Sequence, residues 1–307
     1  MADPSGRVVY TALAGNTAIA AAKFGAFAVS GSSAMLTEAI HSIVDTVDQV
    51  LLLVGQARGR KAPDATHPLG YGMETYFWSF VVALMVFMLG GAVSLYQGVR
   101  HTLAPETITS PLLNLVVLAV AALFEGLSFV VGFREYKSVV RGRLLRGRPV
   151  RLWTFIQISK DPSLFATLLE DSAALIGIGL AALGVIAASF FHIAWADGAA
   201  SIAIGLLLVA VSAVLANETR SLIAGEAVAQ PVLEEMKRVI AADACIEVIT
   251  EIATLHLGPQ IILVALTLQF RTDSATHLRE AIRSLTAALK AVDDRVAYVF
   301  VRPIEKR

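Results

Sequence analysis

Six apolar stretches dominate this chain, at residues 8–30, 34–56, 75–99, 111–133, 164–191 and 198–216. A helix needs about 20 apolar residues to cross a bilayer. Lipid offers no partner to bare backbone N–H and C=O groups, so a spanning segment must be helical. Each stretch therefore predicts a transmembrane helix. Composition agrees: 56% of the 307 residues are hydrophobic and mean hydropathy is +0.68, more apolar than an ordinary soluble domain. The first stretch is the weakest, because it contains Asn16 and Lys23. It runs on into further apolar segments, so it reads as a retained span and not as a cleaved signal.

Basic residues give the orientation. Arg58, Arg60 and Lys61 follow the second span. Arg134, Lys137, Arg141, Arg143, Arg146, Arg148, Arg151 and Lys160 follow the fourth. The third-to-fourth connection has only Arg100, near its start, and the fifth-to-sixth has no Lys or Arg. The even connections, and with them both termini, are expected in the cytoplasm. From Asn217 the pattern turns mixed and charged, which divides the chain into a membrane domain, residues 1–216, and a soluble domain, residues 217–307. The second predicts a helix at 231–241, strands at 247–257 and 261–271 around Gly258-Pro259, a helix at 274–291 and a strand at 296–301. That order suggests a small cytoplasmic α+β, ferredoxin-like domain with one sheet face covered and the other free for a second copy of the chain.

Four ionisable residues lie in the second span: Glu38, His41, Asp45 and Asp48. Spacings of three, four and three put them on one helical face. A charge at bilayer depth costs on the order of 2.5–3.5 kcal/mol by insertion scales, so packing alone does not explain the stripe. A His and a carboxylate at i and i+4 can hold one divalent metal ion. The fifth span adds Glu170-Asp171. Neighbours on a helix differ by about 100°, so only one of them points straight at a shared site. Glu125 lies mid-span in the fourth segment and suits either a proton-carrying role or a salt bridge. Lys23, near a helix end, reads as snorkelling to the interface.

Outside the spans, Asp64 and His67 form a weak candidate metal site in a turn-rich loop that its Pro and Gly residues shape. His101, His192, His256 and His277 are isolated and read as surface or packing residues. The lone Cys245 excludes an intramolecular disulfide and a multi-Cys zinc site. There is no His-Glu-x-x-His helix, no phosphate-cradling Gly-rich loop and no Gly-x-Ser-x-Gly elbow. A membrane metalloprotease, an ATP-driven pump and a serine hydrolase all lack their signature. No enzyme activity and no nucleic-acid partner are expected.

Six spans, a metal-ligand pair in the second, a carboxylate in the fifth and a small α+β tail resemble the cation diffusion facilitator family, nearest its zinc-transporter-nine-like branch. The marks are Gly31-Ser32-Ser33-Ala34-Met35-Leu36 leading into Glu38-Ala39-Ile40-His41-Ser42-Ile43-Val44-Asp45, the loop His67-Pro68-Leu69-Gly70-Tyr71-Gly72 with Glu74, and Asp197 at the start of the sixth span. The resemblance implies a transport site with two ligands from each of two spans, His41 and Asp45 with Asp171 and position 167. Thr167 departs from the His or Asp that many zinc-transporting members carry there. A three-ligand site completed by water, completion by Glu170, or a harder ion would each accommodate it. Glu38, Asp48, Asn16 and Glu125 are candidates for proton transfer or for supporting the ligands. Tyr71 stands where some relatives have a further His. The strands of the soluble domain show no ligand cluster that would glue a dimer with zinc.

The expected function is proton-coupled export of a divalent cation from the cytoplasm, zinc first, with manganese, iron or cobalt as alternatives. An unperturbed His titrates near about 6.5, so protons and metal compete for it. No cofactor is expected beyond the transported metal. The expected partners are the metal ion, protons as counter-ion, the lipid bilayer and a second copy of the chain. The location is an integral, multi-pass one, in the inner or plasma membrane if the host is bacterial. The competing reading is a non-transporting, metal-sensing membrane scaffold.

Overall fold

The computed structural model of the chain describes residues 4–105, 107–139, 160–271 and 274–304. Arg141, Arg143, Arg146, Arg148 and Arg151, most of the basic run behind the predicted orientation, lie outside the described residues. The helices are α1 (Pro4–Ser30), α2 (Ser33–Gly59), α3 (Met73–Met85), α4 (Val93–Leu103), α5 (Pro111–Val139), α6 (Pro162–Phe190), α7 (Ala196–Ile223), α8 (Gln230–Ala241) and α9 (Ala275–Val292). A π-helical stretch, Val86–Ala92, joins α3 to α4 into one span.

Four segments among the described residues are long and apolar enough to cross a membrane: Met73–Leu103, Pro111–Arg134, Pro162–Phe190 and Ala196–Ile223. α1 and α2, each a helix of 27 residues, are not among them. The polar residues of α2 lower its hydropathy and are the ones that matter below. The lipid-facing character is plainest on α5, where Leu112, Val116, Leu123, Leu127 and Val131 are all more than half exposed. Such a stripe would be an association surface in water and is ordinary in lipid.

The turn between α1 and α2 is made at Gly31, whose φ of 70° suits a residue without Cβ. Its N–H closes α1 by donating to the Phe27 carbonyl at 2.8 Å. The third span and α7 approach backbone to backbone. A Cβ on Gly98 would lie 2.6 Å from the Ile202 nitrogen, and one on Gly205 would lie 2.8 Å from the Leu95 nitrogen. Small residues let membrane helices approach closely and gain dispersion contacts where no hydrophobic force pulls them together.

The chain divides into two compact units, the first ending at Glu218 and the second starting at Thr219. The second also takes in Gly55–Phe77 and, from before α6, Lys160 and Asp161. α7 continues past residue 216 to Ile223, with Leu215, Thr219 and Leu222 buried along one face. In the second unit the elements follow the order read from the sequence: α8, β1 (Ile246–Gly258), β2 (Ile261–Phe270), α9 and β3 (Val296–Ile304). β2 is central, antiparallel to β1 and parallel to β3, with α9 as the crossover. Burial alternates along the whole of β2. Ile262, Val264, Leu266 and Leu268 face a core with Met236, Ile240, Leu285 and Leu289 from the two helices. The opposite face is apolar too: Leu255, Leu263 and Tyr298 lie side by side across the strands, as do Ala253, Ala265 and Phe300.

His256, on β1, is fully buried and neither ring nitrogen has a hydrogen-bond partner among the described residues. Burial, with the nearby Arg295 and Lys160 charges, pushes its pKa down to about 4. The unfolded chain takes up this proton near 6.5 and the folded chain only near 4. The neutral imidazole's contribution is therefore complete above about 6.5 and is lost as pH falls toward 4, by up to roughly 3 kcal/mol. Hydrogen exchange of β1 in the intact protein, corrected for intrinsic rates, should show protection falling across that window. In His256→Phe the fall should vanish.

Candidate functional site

The N-terminus of α2 is fixed before its ionisable stripe begins. Asp197, at the start of α7, is almost fully buried. It accepts from the Ser32 hydroxyl at 2.6 Å, the Ser33 N–H at 2.5 Å and the Ala34 N–H at 3.3 Å. A carboxylate on one helix thus caps another, satisfying donors that α2 cannot satisfy itself and opposing the positive end of its dipole. The Ser33 and Ser201 hydroxyls join 2.9 Å apart beside it. The Gly31-Ser32-Ser33 sequence and the distant Asp197 are one structural device.

Deeper along α2, Glu38, His41 and Asp48 are buried and Asp45 is nearly so. His41 Nδ1 lies 3.4 Å from Asp45 Oδ1 without the geometry of a hydrogen bond. Both His41 nitrogens, Asp45 Oδ1, both Asp48 carboxylate oxygens and Glu170 Oε1 lack a hydrogen-bond partner among the described residues. Buried polar atoms are paired in the great majority of cases. Five of these six atoms lie on the α2 stripe and the sixth on α6.

On α6, Glu170 and Asp171 are both buried, each 7% exposed. Asp171 accepts from the Ser128 hydroxyl of α5 at 3.0 Å and bears electrostatically on Asp45. Glu170 bears on Asp45 as well as on Asp48. Glu125, half-buried on α5, faces the same group and interacts with Lys23, His41 and Glu38. Thr167 spends its hydroxyl proton on the Ser163 carbonyl of its own helix, at 3.0 Å. Asn16 is half-buried on α1, about two turns before Lys23. Among the described residues no three His, Cys, Asp or Glu side chains converge closely enough to hold one metal ion. The α2 half and the α6 half face one another through their charges without closing on a common point.

Lys23 corrects the sequence reading. It does not snorkel but is fully buried, with Nζ 2.9 Å from Glu38 Oε2 and 2.8 Å from Ser42 Oγ. The signal was present in the spacing, since the Gly31 turn lies almost midway between Lys23 and Glu38 and an antiparallel helix pair sets them at one depth. Glu38 also touches α6: a Cβ on Gly177 would lie 2.6 Å from Glu38 Oε1.

The loop after α2 is organised by Asp64. Its Oδ1 accepts from the Thr66 N–H, the Thr66 hydroxyl and the His67 N–H at 2.7–2.8 Å, and its Oδ2 from the Tyr71 hydroxyl at 2.6 Å. The Thr66, Tyr71 and His67 bonds hold the carboxyl below the usual range. The His67 and Tyr71 rings pack with centroids 4.0 Å apart. Asp64 here closes a turn. Gly72 packs against the Leu257–Gly258 backbone, where a side chain would collide.

Comparison with known proteins gives a consistent picture. Residues 9–224 match the family described as the cation efflux transmembrane domain. The chain is similar to metal tolerance protein C4 of Arabidopsis thaliana, 30% identical over 83% of this chain and 55% of that protein. It is equally similar to the human mitochondrial proton-coupled zinc antiporter SLC30A9, 30% identical over 82% of this chain and 44% of that protein. The manganese efflux system protein MneP of Bacillus subtilis is 25% identical over 77% of this chain and 74% of its own length. The chain spans about half the length of the first two.

Proposed function

The chain belongs to the cation efflux, or cation diffusion facilitator, family of multi-pass integral membrane proteins, whose members are transporters and not enzymes, and on that premise we propose that it exports a divalent cation from the cytoplasm in exchange for protons. The observation that carries this reading is the set of buried, partnerless ligand atoms on α2 facing the carboxylates of α6. His41 and Asp45 supply one half of the site and Asp171 with Glu170 the other. A cation entering between them satisfies the orphans and displaces protons from them, and a proton returning displaces the cation. The two halves come together on the ion, and alternating access exposes their site, near the membrane midplane, to each side in turn.

Zinc is the first candidate as cargo: one imidazole with carboxylate oxygens suits it, and the human relative is a proton-coupled zinc antiporter. Manganese is the second, because the site is rich in oxygen and the Bacillus relative is a manganese efflux protein. In this reading α1 and α2 complete six spans, and residues 1–216 form the transport domain. With the even connections, the ones rich in Lys and Arg, on the cytoplasmic side, both termini lie in the cytoplasm in this reading, and a bacterial host would house the protein in its plasma membrane. The second unit pairs two copies through the apolar sheet face that carries Leu263, Tyr298 and Phe300.

Uptake of zinc, manganese, iron and cobalt into proteoliposomes under a pH gradient tests this. Saturable flux of one ion, with protons moving the opposite way, is the expected result. Binding without flux of any ion would replace the transporter reading with that of a metal-sensing scaffold.

A further inference from the structure

Lys23 has no part in the transport scheme as stated. Bringing an ammonium and a carboxylate into a buried site costs several kcal/mol per ion in general, and a well-packed apolar pair often holds two helices as firmly. Joining α1 to α2 is therefore a poor reason for Lys23 and Glu38 to be there. Their surroundings supply a better one. Glu38 Oε2 takes the Lys23 ammonium while Oε1 has no hydrogen-bond partner among the described residues, at the place on α6 where Gly177 leaves room. Glu38 thus stands between α1 and the helix that carries Glu170 and Asp171. The same ammonium donates to Ser42, next to His41. Its charge also bears on His41, Asp45 and Glu125.

We infer that Lys23 is a resident counter-ion of the transport site, a tethered ammonium that occupies Glu38, keeps that carboxylate from becoming a cargo ligand and offsets part of the negative charge facing the cargo. This rests on the transport reading above. A transported ion must bind well enough to enter and weakly enough to leave. With Glu38 free, the carboxylates around His41 would hold a divalent cation too firmly for rapid release. Lys23 is in this sense a positioning residue, acting on the cargo through Glu38 and through the field.

The test is zinc and manganese titration of the full chain in detergent at one pH, with KM and kcat of flux from proteoliposomes, for the native protein, Lys23→Met, Lys23→Arg and Glu38→Gln. Lys23→Met is expected to tighten metal binding and lower both KM and kcat, while Glu38→Gln weakens binding, each by about tenfold. Lys23→Arg, which keeps the charge, should stay within about threefold of native. Opposite signs are the signature, since a pair that only fastened two helices would impair binding in both variants alike. Changes of the same sign, or none, overturn the proposal. If Lys23→Met does not fold, Lys23→Gln takes its place, because its amide can still donate to Glu38 and Ser42 but carries no charge: tighter binding supports the counter-ion, and unchanged or weaker binding overturns it. Native binding that is lost in Asp45→Ala, together with same-sign changes at Lys23 and Glu38, would remove the counter-ion alone. No binding by the native chain would remove both readings.

Discussion

Asp45→Ala is expected to reduce metal flux by at least about a hundredfold, since even partners one step removed from a bound metal are typically worth ten- to a hundredfold. Asp45 combines what a cargo ligand needs. It is nearly buried, its Oδ1 is unpartnered, His41 is its neighbour one turn back, and Asp171 faces it from α6. The same substitution should leave the melting temperature of the metal-free protein unchanged or raise it, because a buried carboxylate without a partner costs stability and contributes none. Flux and thermal melting of one preparation check both halves. Loss of flux with loss of fold would mean that Asp45 is structural, and retained flux would remove it from the ligand set.

Asp197→Ala is expected to act the opposite way, by destabilising the membrane unit before any step of transport. The side chain accepts three hydrogen bonds at the first turn of α2, and alanine leaves those donors bare in a place without water. Bonds to a charged acceptor are worth roughly 1.5–3 kcal/mol each and are not additive, so a total of about 2–4 kcal/mol is expected. Asp197→Asn keeps the shape and an acceptor oxygen and should recover about half of that. Unfolding of the purified protein, followed by heat or denaturant, gives the measure. A variant as stable as the native chain would show that the cap is not what fixes α2.

The two predictions bear on how much could be read without a structure. The His41 and Asp45 stripe was legible because helical periodicity needs no tertiary information, and because charge is conspicuous in an apolar segment. The order of elements in the second unit was legible for the same kind of reason: Pro231, Gly258-Pro259 and the apolar β2 punctuate it. What escaped depends on pairs far apart in the chain. Nothing near Asp197 indicates that its carboxylate closes the helix at Ser33. Lys23 was misread because a lysine near a helix end usually reaches water, and only the placement of Glu38 across the Gly31 turn holds it inside. The loop of Asp64 and His67 offered ligand types without a geometry, and the structure spends Asp64 on its own turn. That Glu170 and Asp171 both bear on Asp45, and Glu170 on Asp48 as well, depends on how α6 packs and is not written in their own segment.

The central claim is that the partnerless groups of α2 and the carboxylates of α6 close on one transported ion. The most direct measurement is X-ray absorption at the metal edge of the full chain loaded with one equivalent of zinc, beside Asp45→Ala. The account predicts a single imidazole in a shell otherwise made of oxygen, with that spectrum lost in the variant. A shell with several imidazoles or a sulfur, or a native spectrum that persists in Asp45→Ala, would contradict it.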